Sequence, residues 1–164
     1  MALVDLGQLE SALAAGARLI GLDLGEKTIG IALSDPELAV ATPLTAHRRS
    51  KFSDDFGVLI ALMKENRAGG LVVGLPLNMN GTEGPSAQSA RAFARNFALR
   101  SDLPVLLWDE RLSTAAVTRT LLAADASRKR RAALVDKLAA AWLLQGALDA
   151  LAHRRSRTAP GGND

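Results

Sequence analysis

Residues 132–151 read as one long Ala/Leu helix with an acid set inside it. At 3.6 residues per turn, Asp136 shares its face with Ala132, Ala133, Ala139, Ala140 and Leu143, an almost uncharged stripe of small side chains. Lys137 lies about 100° round the helix and need not neutralise that acid. Such a stripe is suited to packing tightly on a sheet. The whole chain leans the same way, with 30 Ala and 28 Leu among 164 residues, six aromatics and no Tyr. Few flat rings remain for stacking bases, which disfavours a single-strand binder built on aromatic platforms.

The remaining elements predict an α/β fold. Residues 5–15 read as a short helix, and 17–24 as an apolar strand ending at a carboxylate. Residues 28–33 form a second strand, hairpin-paired to the first. Residues 38–46 form a third strand, with Pro43 marking an edge. A helix spans 53–67 and is stopped by Gly69-Gly70; the continuous apolar run 71–75 fits a strand covered on both faces. Pro85 opens a helix reaching about Arg100, 105–108 form a strand, and Ser113 caps a helix reaching about Ala124. A polar, basic connection at 125–131 leads into the last helix. A three-strand meander followed by βα units gives a mixed five-stranded sheet flanked by helices. The expected organisation is a single domain over 1–151, with 1–16 as an N-terminal extension and 152–164 as a disordered basic tail.

Three acids occupy positions where acids are uncommon. Asp23 closes an apolar strand two residues before Gly25, which allows a ligand to come close. Glu110 closes another, while its neighbour Asp109 should point to the opposite face. Asp136 is the acid of the small-residue helix. A buried carboxylate needs a cation or hydrogen bonds. Three of them on separate elements can converge only at one end of a sheet, which is what a hard-cation site of oxygen ligands requires. Taken singly, Asp23 also suits a turn or cap, Glu110 an ion pair with Arg111, and Asp136 a wet helix face.

The charge is unevenly spread. Residues 1–126 carry 12 Lys/Arg and 14 Asp/Glu, whereas 127–157 carry Arg128, Lys129, Arg130, Arg131, Lys137, Arg154, Arg155 and Arg157 against Asp136 and Asp149. Clustered cations suggest a polyanionic partner. The Gly/Asn-rich loop 74–84, with Asn78 in it, exposes backbone N–H groups that can guide a phosphate backbone. With no Cys, disulfides and thiolate zinc sites are excluded; with only His47 and His153 a Ser–His–Asp triad is disfavoured, and no P-loop or GxGxxG pattern occurs. No apolar run is long enough for a membrane span and Met1–Ala17 does not read as a signal peptide, so the expected place is the cytoplasm.

Four segments in order resemble the YqgF/RuvX family: Gly21-Leu22-Asp23-Leu24-Gly25-Glu26-Lys27-Thr28-Ile29-Gly30, Val73-Gly74-Leu75-Pro76-Leu77-Asn78, Trp108-Asp109-Glu110-Arg111-Leu112-Ser113-Thr114 and Val135-Asp136-Lys137-Leu138-Ala139-Ala140. The resemblance covers roughly residues 17–150. It implies a ribonuclease H-like fold and a nuclease that resolves Holliday junctions or matures the precursor of 16S ribosomal RNA. It also carries catalytic roles onto Asp23, Glu110 and Asp136, the acids that the burial argument singles out. Thr28 stands where the family often has Arg, and Asn80 where it often has Asp; neither belongs to the acid triad.

The expectation is therefore a metal-dependent phosphodiesterase in which Asp23, Glu110 and Asp136 hold Mg²⁺ or Mn²⁺, with two ions flanking the reacting phosphate. Arg128, Lys129, Arg130 and Arg131 bind flanking phosphates, Asn78 belongs to the guiding loop, and Arg111 contacts substrate or orients Glu110. The partners expected are pre-rRNA or branched DNA and ribosomal particles, the chain acting as a monomer or homodimer. Two rivals have their own discriminators. A half of an actin-like ATPase or sugar kinase would need a second related domain. A ribosome-associated or nucleic-acid-binding factor that no longer cleaves would tolerate loss of the acids.

Overall fold

The computed structural model of the chain describes residues 3–112 and 128–158, the stretch 128–136 by its helical backbone alone. In chain order the elements are β1 (Leu3–Val4), α1 (Leu6–Ala12), β2 (Arg18–Leu24), β3 (Thr28–Ser34), β4 (Ala41–Arg48), α2 (Phe52–Glu65), β5 (Ala68–Leu75), α3 (Pro85–Arg100), β6 (Val105–Asp109), a 3-10 turn (Glu110–Leu112) and the long helix α4 (Arg128–Thr158). One mixed sheet has the order β1-β6-β5-β2-β3-β4. β2, β3 and β4 form the antiparallel meander; β5 adds to β2 and β6 to β5, both parallel. This is the mixed α/β class, a sheet flanked by helices, that the order of elements predicts.

Strand alternation sorts the side chains onto two faces. Ile20, Leu22, Ile29, Ile31, Leu71 and Val73 pack under α2 and α3. Leu19, Ala32, Val72, Leu106 and Trp108 pack under α1 and α4. The second face is where the small-residue stripe is used. A Cβ on Gly21 would lie 2.7 Å from Leu144 Cβ and 3.2 Å from the Ala140 carbonyl oxygen, so the bare backbone of β2 lets α4 seat directly on the sheet. The helix is set antiparallel to the parallel strands. Its C-terminal part meets α1 near the amino ends, where Arg155 Nε donates to Glu10 Oε2 at 3.1 Å.

Four expectations need correction. The sheet has six strands, because Leu3–Val4 pairs with Val105 and Leu106 along the outer edge of β6; a two-residue strand leaves no periodicity to read. Arg128, Lys129, Arg130 and Arg131 belong to the opening of α4 instead of a loop, and the helix continues through 152–158 where a disordered tail was expected. No Gly or Pro interrupts 152–158, and Arg154 and Arg155 dock on Glu10. Gly69-Gly70 do not stop α2: the helix ends at Glu65 and Arg67 takes the left-handed conformation (φ 56°) that glycine usually fills. Gly70 lies inside β5 instead, where a Cβ would meet Leu19 and Leu9 at 2.9 and 3.0 Å. The helix expected from Ser113 lies outside the described residues. Pro43 does sit on an edge strand, β4. Among the described residues, no helix is long and apolar enough to cross a membrane.

Gly21 and Gly57 make opposite predictions from one substitution. Gly21→Ala should lower stability by about 1–3 kcal/mol, because Leu144 and the α4 backbone must give way. Gly57, mid-helix in α2 with nothing within 4 Å of its Cβ position, should gain about 0.5–1 kcal/mol as Ala. Urea melts of the two variants check both signs.

Candidate active site

Asp23 is the sixth residue of β2 and lies on the same face as Leu19 and Gly21, towards α4. Its antiparallel partner is Gly30. On the other side, β2 pairs with β5 up to Leu22↔Val73, and the next residue of β5 is Gly74. β6 ends at Asp109, and the chain tightens into the 3-10 turn that starts at Glu110. That turn swings the Glu110 side chain back over β5: a Cβ on Gly74 would fall 2.7 Å from Glu110 Oε1 and 2.8 Å from Leu143 Cδ2 of α4. The missing side chain at Gly74 makes the space in which one carboxylate and one helix meet the sheet.

Asp23 and Glu110 are only 4% and 5% exposed. Both line one cavity of about 220 Å³ at the carboxyl ends of β2 and β5, together with Gly25, the exposed Glu26, Gly74, Pro76 and Ser86. Two buried carboxylates facing the same small space fit a hard divalent cation: the donors are oxygens, and no His or Cys is among the described residues of the lining. Among the described residues, no group of three or more acids, His or Cys is clustered. Asp136 lies on α4, one turn before Ala140 and two turns before Leu143, the residues whose atoms meet Gly21 and Gly74. Its side chain lies outside what is described, as do those of Arg128, Lys129, Arg130 and Arg131.

The neighbouring acid is used differently. Asp109 is held by Arg111, whose Nε and Nη2 donate to its carboxylate at 2.8–3.1 Å and whose backbone N–H adds a further bond at 3.0 Å. The Arg111 guanidinium lowers the Asp109 pKa below the usual carboxylate value, and Asp109 in return raises that of Arg111. Arg111 Nη1 also donates to the Met79 carbonyl at 3.3 Å, which ties the loop after β5 to the end of β6. Asn78 shapes that loop from within. Its Nδ2 donates to Thr82 Oγ1, its backbone N–H to the Thr82 carbonyl, and its own carbonyl accepts from Gly81, a residue with φ +87°. Sequence reading gave Arg111 to the substrate or to Glu110, whereas the structure pairs it with Asp109, and neither Arg111 nor Asn78 is among the residues lining the cavity; the clearance at Gly74 was missed. A glycine inside the apolar run 71–75 was the available signal for a close approach.

Comparison with known proteins supplies the family. The model of the family described as "RuvX: Holliday junction resolvase" matches residues 17–150. The chain belongs to the RuvX family. Among curated relatives, a "Putative pre-16S rRNA nuclease" of Phenylobacterium zucineum is 58% identical over 153 residues, covering 92% of this chain and 98% of that protein. A protein of the same name from Paramagnetospirillum magneticum is 55% identical over 149 residues, covering 91% and 96%. Among solved structures, Thermus thermophilus RuvC in complex with a Holliday junction aligns over 84% of this chain and 95% of its own, at 14% identity and a TM-score of 0.49. Asp23, Gly74, Glu110 and the helix position of Asp136 all lie within the part of this RuvX-family chain that the family model matches.

Gly74→Ala should separate the site from the scaffold. The fold should survive with a loss of about 1–3 kcal/mol, while the displaced Glu110 lowers kcat at least tenfold with little change in nucleic-acid binding. Urea melts, turnover and binding titrations on one preparation measure the three quantities.

Proposed function

We propose that this RuvX-family protein is a metal-dependent endonuclease acting on the 16S rRNA precursor. The observation that carries the reading is the pair of buried carboxylates, Asp23 and Glu110, facing one cavity across Gly74 at the carboxyl end of the sheet. The names of the relatives at 51–58% identity favour the RNA substrate over junction DNA. Mg²⁺ or Mn²⁺, held by Asp23 and Glu110 with Asp136 as third acid and accommodated as two ions, would supply Lewis acidity to the phosphoryl group and to water.

This chain's own residues then position the reaction. Asp23, fixed in the sheet, sets the depth at which the scissile phosphate can sit. Glu110 enters from the 3-10 turn after β6, so the two carboxylates come from different strands and face one space. Water attacks phosphorus, one P–O bond to a sugar breaks, and the proton given up by water ends on the leaving oxygen. Arg111 is a positioning residue: it clamps Asp109 and the Met79 carbonyl, and so holds the Asn78 loop beside the cavity. Arg128, Lys129, Arg130 and Arg131, at the opening of α4, bind flanking phosphates. Cations at a helix N-terminus oppose the macrodipole, a cost that an incoming polyanion removes. A monomer suffices to cut one RNA strand, and the cytoplasm, where ribosomal precursor particles occur, is the place of action.

Cleavage of precursor RNA by purified protein should require Mg²⁺ or Mn²⁺ and stop in EDTA. Asp23→Asn should lose nearly all cleavage while melting as a folded protein and still binding RNA. Undiminished cleavage in EDTA or by the variant would overturn the mechanism. Cleavage of four-way DNA junctions without cleavage of RNA would overturn the substrate. Binding to both with cleavage of neither, at any metal concentration, would make the protein a non-cleaving factor.

A further inference from the structure

The corner formed by the β2–β3 turn, the end of β4 and the start of α2 carries four cations that the site above does not use. Lys27 lies in the turn; Arg48, Arg49 and Lys51 lead from β4 into α2. Lys27, Arg48 and Lys51 are exposed and Arg49 is half-buried. This corner is joined to the cavity by hydrogen bonds. The Arg49 N–H donates to the Lys27 carbonyl at 2.8 Å, and Arg49 Nη1 donates to the Gly25 carbonyl at 2.8 Å. Gly25 and Glu26, from the same turn, line the cavity.

The register gives the direction. Asp23 pairs with Gly30 and Gly30 with Ala46; Arg48 pairs with Thr28, two residues further along the strands towards the turn. Arg48 therefore lies two strands from β2, about 10 Å across the sheet, on the face that carries Asp23. β4 is the edge of the sheet, and among the described residues no further strand covers this side. The backbone there is pinned from beneath. Asp55, 1% exposed, accepts from the Ser50 N–H at 3.0 Å and bonds His47 Nε2 at 2.9 Å.

Besides the buried Asp55, two exposed acids share the corner. Glu26 is exposed in the turn, and Asp54 is exposed at the start of α2, where it accepts from Ser50 Oγ. Neither holds a cation of the strip: among the described residues Lys27, Arg48, Arg49 and Lys51 make no ion pair. Arg91 and Arg111, beside the loop after β5, are by contrast committed to Glu83 and Asp109. Three exposed cations without an ion pair, with Arg49 tied by its guanidinium to the Gly25 carbonyl, sit on a pinned backbone and suit the repeating charge of a phosphodiester strand.

We infer that Lys27, Arg48, Arg49 and Lys51 form a phosphate-binding track for the RNA strand leaving the cavity over the edge strand β4. The inference rests on the nuclease reading for the choice of RNA, but its test does not depend on cleavage. In the Asp23→Asn background, Arg48→Ala/Lys51→Ala is compared with its parent for binding a labelled stem–loop RNA with single-stranded flanks, from low to high salt. The log–log slope should fall by about 0.7–0.9 for each phosphate that is no longer neutralised. Lys64→Ala/Arg100→Ala, which removes equal charge at the far ends of α2 and α3, should leave the slope unchanged. With Asp23 restored, the track variant should raise KM about tenfold and hold kcat within twofold. An unchanged slope, an equal fall in the control pair, or no RNA binding by the parent would overturn the track. A fall seen with four-way DNA and not with RNA would overturn its assignment to an RNA strand. If the wild type cuts nothing, the proposed function fails while the salt slope still decides the track.

Discussion

The contact between α4 and the bare backbone of β2 and β5 sets the geometry of everything above it. At Gly21 and Gly74 the sheet presents no side chain, and Ala140, Leu143 and Leu144 fill the space. A helix resting on a sheet through ordinary side chains would stand further off and leave Glu110 no gap to turn into. The Ala-rich face is thus the packing solution that brings an acid-bearing helix to the carboxyl ends of the strands. Each methyl group added at this seam displaces either the helix or a carboxylate.

That seam also bears on how the chain tolerates buried acids. Desolvating a carboxylate costs several kcal/mol unless something compensates. Asp55 shows the structural solution: it is enclosed, accepts from the Ser50 N–H and bonds the His47 ring. Asp109 shows the surface solution, a clamped ion pair with Arg111. Asp23 and Glu110 face one cavity, with a glycine between them. A cation entering that space would meet both carboxylates at once, which neither Asp55 nor Asp109 can offer from its own setting.

Much of this was legible in the residues because burial and chemistry disagree at few places. The apolar runs 17–24, 71–75 and 105–108 are strands, and acids at the ends of the first and third marked the candidates; both follow from period and polarity alone. The elements that failed were those fixed by tertiary contact. β1 exists because β6 offers an edge, α4 extends to Thr158 because Glu10 receives its arginines, and α2 gives way at Arg67 without glycine because the chain must turn into β5. The corner at Lys27 and Arg48 was likewise hidden, since it depends on register across strands, and the Asp109–Arg111 clamp was hidden because it depends on the 3-10 turn that folds Arg111 back on its neighbour. The acids were readable as a set of candidates and the small-residue stripe as a face suited to a sheet; the contact points at Gly21 and Gly74, which depend on how α4 lies across the strands, were not.

The central claim is that Asp23, Glu110 and Asp136 meet around one divalent-cation site. Titrating ¹⁵N-labelled protein with sub-stoichiometric Mn²⁺ tests it without any substrate, because paramagnetic broadening reports distance from the ion. Broadening centred on residues 22–25, 74, 109–111 and 134–138, abolished by Asp23→Asn and competed by Mg²⁺, is the result expected. Broadening that spares 134–138, or that survives in Asp23→Asn, would contradict the account.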